Sequence, residues 1–180
     1  MKSLSVRRLT FAALVAAVYA VVTILTASFA YGPIQFRIAE ALCILPFFLP
    51  FTTWGLFVGC ILANIISPVG PLDMIFGSLA TLGCCLCISA LGRRWDGRSW
   101  GKCILACLMP AVWNGVVIGA LLALTAGAEE GAKLTLFFLY GAEVAAGELA
   151  VMFVLGLPLM RALPTTKFFP SLCAKLDKAA

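Results

Sequence analysis

Long apolar runs, parted by short stretches rich in glycine, proline and polar residues, dominate the chain. A helix that crosses a bilayer needs about 20 apolar residues, with a range of about 17–25. Residues 9–30 form one such run. Residues 37–50 and 53–67 form two shorter ones, separated by Pro50-Phe51-Thr52. Residues 72–92 make a fourth, 103–127 a fifth and 134–163 a long sixth. The pattern predicts an all-α integral membrane protein with six transmembrane helices, forming a single transmembrane domain over residues 1–180. A short basic N-terminus (1–8) and a basic tail (about 164–180) flank the spans. Pro46, Pro110 and Pro158 are expected to kink three of the helices. The second and third runs are short enough that neighbours must shield them. Lys2, Arg7 and Arg8 before the first run imitate a signal peptide, but the run is too long and no small-residue cleavage site stands out. It is expected to be a retained helix.

Composition sharpens this picture. The chain is 63% apolar and 12% charged, with a mean hydropathy of +1.08, against about 45–50% and about 25% in soluble domains. Too few charges remain to cover a water-facing surface, or to form a disordered, collagenous or nucleic-acid-binding chain. The net charge of +5 follows from placement. With the N-terminus inside, Lys2, Arg7, Arg8, Arg93, Arg94, Arg98, Lys102, Arg161, Lys167, Lys175 and Lys178 all fall on the inner side. Only Arg37 and Lys133 remain outside. This asymmetry obeys the positive-inside rule and predicts cytoplasmic termini in the plasma membrane. The shaped loops, residues 31–37 and 67–73, then face outward and suggest a site that opens there.

Charges at bilayer depth are costly, about 2.5–3.5 kcal/mol on insertion scales, and mark sites or pathways. The expected substrate-binding set is Tyr31, Gln35, Arg37, Glu40, Asn64, Asp73, Trp113, Asn114, Glu143 and Glu148. Arg37 and Glu40 lie at i and i+3 and are equally placed for a salt bridge. Asp73 doubles as a possible N-cap of the fourth helix, and Asn64 and Asn114 as hydrogen-bonding links between helices. Glu143 and Glu148 are about 140° apart around a helix, so one faces a ligand while the other braces a neighbour; Glu148 is the preferred contact. Tyr31, Tyr140 and Trp113 are either belt aromatics or stacking surfaces. Carboxylate acceptors, amide donors and aromatic faces together suit a small planar heterocycle with N–H donors.

Ala12, Ala16 and Ala20, with Ala13 and Ala17 one position over, make a small-xxx-small ridge that suits close helix approach. It fits either this chain's own helices or a partner subunit. Catalytic chemistry and a metal site are not expected: histidine is absent, and seven of the eight cysteines fall inside or at the edge of apolar runs, where they read as small hydrophobes. No cofactor is expected. Gly97 to Cys103 imitates a phosphate-binding loop, but it is one residue short between its glycines and ends in Cys. Any ATP is therefore hydrolysed by another chain.

Gln35-Phe36-Arg37-Ile38-Ala39-Glu40-Ala41-Leu42 resembles a segment of the QueT family, with further likeness at residues 59–64, 72–81, 113–115, 147–148 and 156–159. These blocks cover nearly the whole chain in order. The resemblance implies a substrate-binding S component of an energy-coupling factor transporter, importing a queuosine precursor. It also implies a six-helix fold with an outward pocket, docked through its alanine-rich first helix onto a transmembrane coupling subunit driven by two ATPase subunits. The ligand is then a 7-deazaguanine such as the aminomethyl or cyano form. Glu40 or Glu148 would accept from its N–H edge, Arg37, Asn64 or Asn114 would donate to its O6, and Asp73 would face an aminomethyl group. The competing readings are an S component for another vitamin and a self-sufficient transporter with Glu143 or Glu148 as proton carrier.

Overall fold

A computed structural model describes residues 5–31, 34–93, 99–127 and 129–177. Among them there is helix and no strand. The first helix, α1 (Val6–Leu25), ends in one further turn at Ala27–Ala30. Two short apolar helices follow, α2 (Ile38–Phe48) and α3 (Thr52–Ile66). Three long elements complete the bundle: α4 (Pro71–Gly92), α5 (Trp100–Thr125) and α6 (Glu130–Val151). The last continues through Met152–Gly156 into α7 (Leu157–Ala162), and α8 (Phe168–Asp177) closes the described chain. Four elements are long and apolar enough to cross a membrane: α1, α4, α5 and the run Gly131–Thr165.

The prolines act differently at each position. Pro110 sits inside a continuous α5. Pro46 has no N–H to give the carbonyl of Leu42, which takes the N–H of Leu45 instead. The residues ahead of it accordingly run as a 3₁₀ helix, Ile38–Ile44. Pro158 likewise cannot bond Val154, and the chain widens into a π turn at Met152–Gly156, with the Leu157 N–H reaching Met152. Helix α4 starts cleanly, with Gly70 at φ 73° and Pro71 in the first turn. The stretch read as a plain basic tail contains α8, whose Phe169 and Leu176, two turns apart, are buried.

Small residues set the packing. A Cβ on Gly59 would lie 2.7 Å from the carbonyl oxygen of Ala16, and one on Gly55 would collide with that of Ala12. On the other side, a Cβ on Gly119 would lie 2.7 Å from Cα of Gly141, which brings α5 and α6 together. Between them lies a core rich in sulfur, including Cys43, Cys60, Cys84, Cys85, Cys107, Met152 and Met160. All eight cysteines are free thiols and six are buried.

The bundle has two unlike ends. At one, Arg8 donates to the Leu176 carbonyl at 2.9 Å and covers the Phe51 ring. Phe48 meets Phe169 edge-on, and Arg161 lies 4.3 Å over the Trp100 ring. Arg7, Arg93, Lys102 and Lys175 belong to the same end; Lys2, Arg94, Arg98 and Lys178 lie outside the described residues. At the other end the first loop and the α3–α4 loop come together with the end of α5 and the middle of α6.

Candidate functional site

The α3–α4 loop builds the site's centre. Its Ser67 hydroxyl donates to Asp73 Oδ2 at 2.6 Å, and Arg37 Nη2 reaches the same oxygen at 3.3 Å. Asn64 Nδ2 donates to the backbone carbonyl of Asp73 at 3.0 Å. Tyr31 OH donates to the Ala63 carbonyl at 2.8 Å, and its ring carries the Arg37 guanidinium 5.2 Å from its centre. Burial holds the Tyr31 phenol up at about 12. Gly70 rather than Asp73 is the N-cap of α4, so Asp73 spends its carboxylate on Arg37 and Ser67. Arg37 pairs with Asp73 and not with Glu40. It flanks the helix with ψ 88°, outside the helical geometry that would place it one turn from Glu40.

Glu40 is instead satisfied from two other sides. Tyr19 OH donates to Oε1 at 2.5 Å and the Cys43 thiol to Oε2 at 3.0 Å. Across the bundle, Asn114 Nδ2 on α5 donates to Glu148 Oε1 on α6 at 3.0 Å. Glu148 lies within electrostatic reach of Glu40 and Arg37. Gly147 explains how the first loop gets there. A Cβ at this position would collide with the carbonyl of Gln35, so only glycine lets that strand of chain lie against α6 beside Glu148.

Above this cluster opens a cavity of about 440 Å³, lined by Tyr31, Gln35, Ser67, Asp73, Tyr140 and Glu143, with Ile118, Leu122 and Thr125 of α5. Four expected residues therefore line it: Tyr31, Gln35, Asp73 and Glu143. Arg37, Glu40, Asn64, Asn114 and Glu148 are buried and do not line it. Trp113 is elsewhere: its ring lies against Gly83 of α4, close enough that a Cβ there would come within 2.7 Å. Sequence reasoning missed Tyr19 and Ser67. The one sits in an alanine run and the other was read only as part of a loop.

Three buried atoms of this cluster have no hydrogen-bond partner: Arg37 Nε, Asp73 Oδ1 and Glu148 Oε2. Leaving such a group unmatched costs about 1–3 kcal/mol, more when charged. One donor and two acceptors are thus left unmatched inside the protein.

The alanine ridge divides in two. Ala12, Ala16 and Ala20 are buried inside this chain, the first two against Gly55 and Gly59 of α3. Ala13 and Ala17 are exposed. Whatever partner the ridge meets has only the second pair to touch.

Described residues without a strand, and with four helices long and apolar enough to cross a membrane, define an integral membrane protein. A family model described as QueT transporter matches residues 9–165. The chain belongs to the QueT transporter family. Neither a curated protein nor a solved structure matches it.

Proposed function

We propose that the chain is the substrate-binding membrane subunit of an energy-coupling factor transporter that imports a 7-deazaguanine queuosine precursor. The short helices α2 and α3 complete six crossings, with both termini cytoplasmic in the plasma membrane. A transmembrane coupling subunit docks at Ala13 and Ala17, and two ATPase subunits supply the energy.

The observation that carries this reading is the set of unmatched atoms. A guanine-type edge offers N–H donors beside one carbonyl oxygen. Glu148 Oε2 and Asp73 Oδ1 would accept from the donors, and Arg37 Nε would donate to O6. The charge count points the same way. One guanidinium is buried with the carboxyl groups of Glu40, Asp73 and Glu148, each at most 3% exposed. A ligand rich in N–H groups, or carrying an ammonium as the aminomethyl form does, offsets that excess of acceptors. Tyr140, on the cavity wall, is the better-placed stacking surface, because Arg37 already covers the Tyr31 ring.

Titration calorimetry on the detergent-purified chain tests the reading, with aminomethyl- and cyano-deazaguanine, guanine, riboflavin and thiamine as ligands. A deazaguanine should bind far more tightly than guanine. Glu148→Gln should weaken it about tenfold or more, whereas Glu40→Gln, whose oxygens both already hold donors, should do less. Binding of a vitamin in its place, or a Glu148→Gln variant within twofold of the parent, overturns it.

A further inference from the structure

Two carboxyl groups, Asp73 and Glu143, stand on the cavity wall, and they are not equivalent. Asp73 is 3% exposed and already engaged. Its Oδ2 takes the Ser67 hydroxyl at 2.6 Å and the Arg37 guanidinium at 3.3 Å, so its charge is offset and only Oδ1 is left open. Glu143 is half-buried in the middle of α6. Among the described residues it has neither a hydrogen bond nor an ion pair. No lysine or arginine lines the cavity. Gly32, Pro33 and Ala128, which interrupt the described chain close in sequence to the lining residues, carry no charge. Lys133 has an interaction of its own and precedes Glu143 by about 15 Å of helix axis. Glu143 is thus an acidic group in a concave site with no counter-ion.

Resting on the 7-deazaguanine reading, we infer that Glu143 is the specificity-determining contact: it pairs with an ammonium on the ligand's short arm and selects the aminomethyl over the cyano form. Tyr140 and Glu143 lie at i and i+3 on α6, on one face of the helix. A ring stacked on the first therefore carries its substituent past the second. Glu148, whose Oε2 is unmatched, follows Glu143 by about 7.5 Å of axis and faces another side of α6. That is a length which a fused bicycle with a one-carbon arm can bridge, its N–H edge at Glu148 and its arm at Glu143. Charge then decides between the two forms. An ammonium brings a half-buried carboxylate both a counter-charge and N–H donors. A nitrile is neutral and only accepts, so it leaves Glu143 as unpaired as before. Asp73 is no substitute, because the Arg37 guanidinium already holds it.

Titration calorimetry of the full chain in detergent, with the aminomethyl and cyano forms as separate ligands, tests the role of Glu143. The parent should bind the aminomethyl form about tenfold more tightly than the cyano form. Glu143→Gln should weaken the aminomethyl form about tenfold and leave the cyano form within about twofold, so that the preference disappears. Glu143→Asp, which keeps the charge, should retain part of it. The ligand-free Glu143→Gln variant should unfold at the parent's temperature, since no partner within the chain is lost; this separates a missing ligand contact from a damaged fold. If neither form binds the parent, the 7-deazaguanine reading falls and the inference with it. Binding of both forms without preference, a preference that survives Glu143→Gln, or an equal loss for both forms would overturn the role of Glu143 alone.

Discussion

The two halves of this bundle are buried to the same degree by different means. Around Met152 and Met160, sulfur and small apolar side chains fill the space, and the Cys107 thiol lies 3.7 Å from the Met160 sulfur. Around Asp73 and Glu148, charged and amide groups fill it, held by short hydrogen bonds from Ser67, Tyr19 and Asn114. The unmatched charged atoms all belong to the second half. The half packed with thiols and thioethers leaves no charged atom unmatched among the described residues. A half packed with carboxylates is incomplete until something brings donors to it. The difference separates an apolar scaffold from a buried polar cluster within one small chain.

Breaking the charged half should cost most. Asp73→Ala leaves the Arg37 guanidinium buried without its counter-charge, and thermal unfolding in detergent should show a loss of about 3–5 kcal/mol. Adding Arg37→Ala should restore part of it, since the two changes share one interaction. Tyr19→Phe comes next. It strips the donor from Glu40 Oε1, and a loss of about 1–3 kcal/mol is expected, with weaker ligand binding in parallel. Cys107→Ala, in the sulfur-rich half, should cost about 1 kcal/mol or less and leave binding unchanged. A Cys107→Ala variant as damaged as Asp73→Ala would erase the distinction between the halves.

The smallest effect concerns pH. Tyr31 has its phenol at about 12 in the folded chain, against about 10 when unfolded. The neutral form is therefore favoured by folding, and this contribution is complete below pH 10 and lost as pH rises towards 12. Alkaline absorbance titration of the parent and of Tyr31→Phe should differ by one phenol ionising near 12. A difference appearing near 10 would show that the loop is open to water.

The four membrane-length helices were legible because lipid demands unbroken apolar length, and glycine and proline punctuate it. Two of the family blocks, Gly147-Glu148 and the segment that begins at Gln35, meet in space at Gly147 and Gln35. Pairing was not legible. Which carboxylate faces which donor depends on how each helix is rotated, and the 3₁₀ geometry of Ile38–Ile44 is invisible to a count of residues per α turn. Arg37 thus reached across to α4, and Glu40 to a tyrosine on α1. The divided alanine ridge has the same origin: adjacent residues on one helix, about 100° apart, face different neighbours. The helix α8 escaped notice because its two buried apolar residues, Phe169 and Leu176, sit among lysines.

The π turn at Met152–Gly156 has a consequence for how this chain can change length. A wide turn holds one residue more than an α turn, while the helix on either side keeps its facing. Removing a single residue there would narrow the wide turn towards ordinary pitch, with only Pro158 still lacking its ladder bond, and with Glu148 still turned to Asn114 and Arg161 still over Trp100. Removing one residue from α6 just above it would turn everything beyond by about 100°. Of the whole last crossing, this is the segment where the reading frame of side chains has slack, and the place where a one-residue deletion should be survivable.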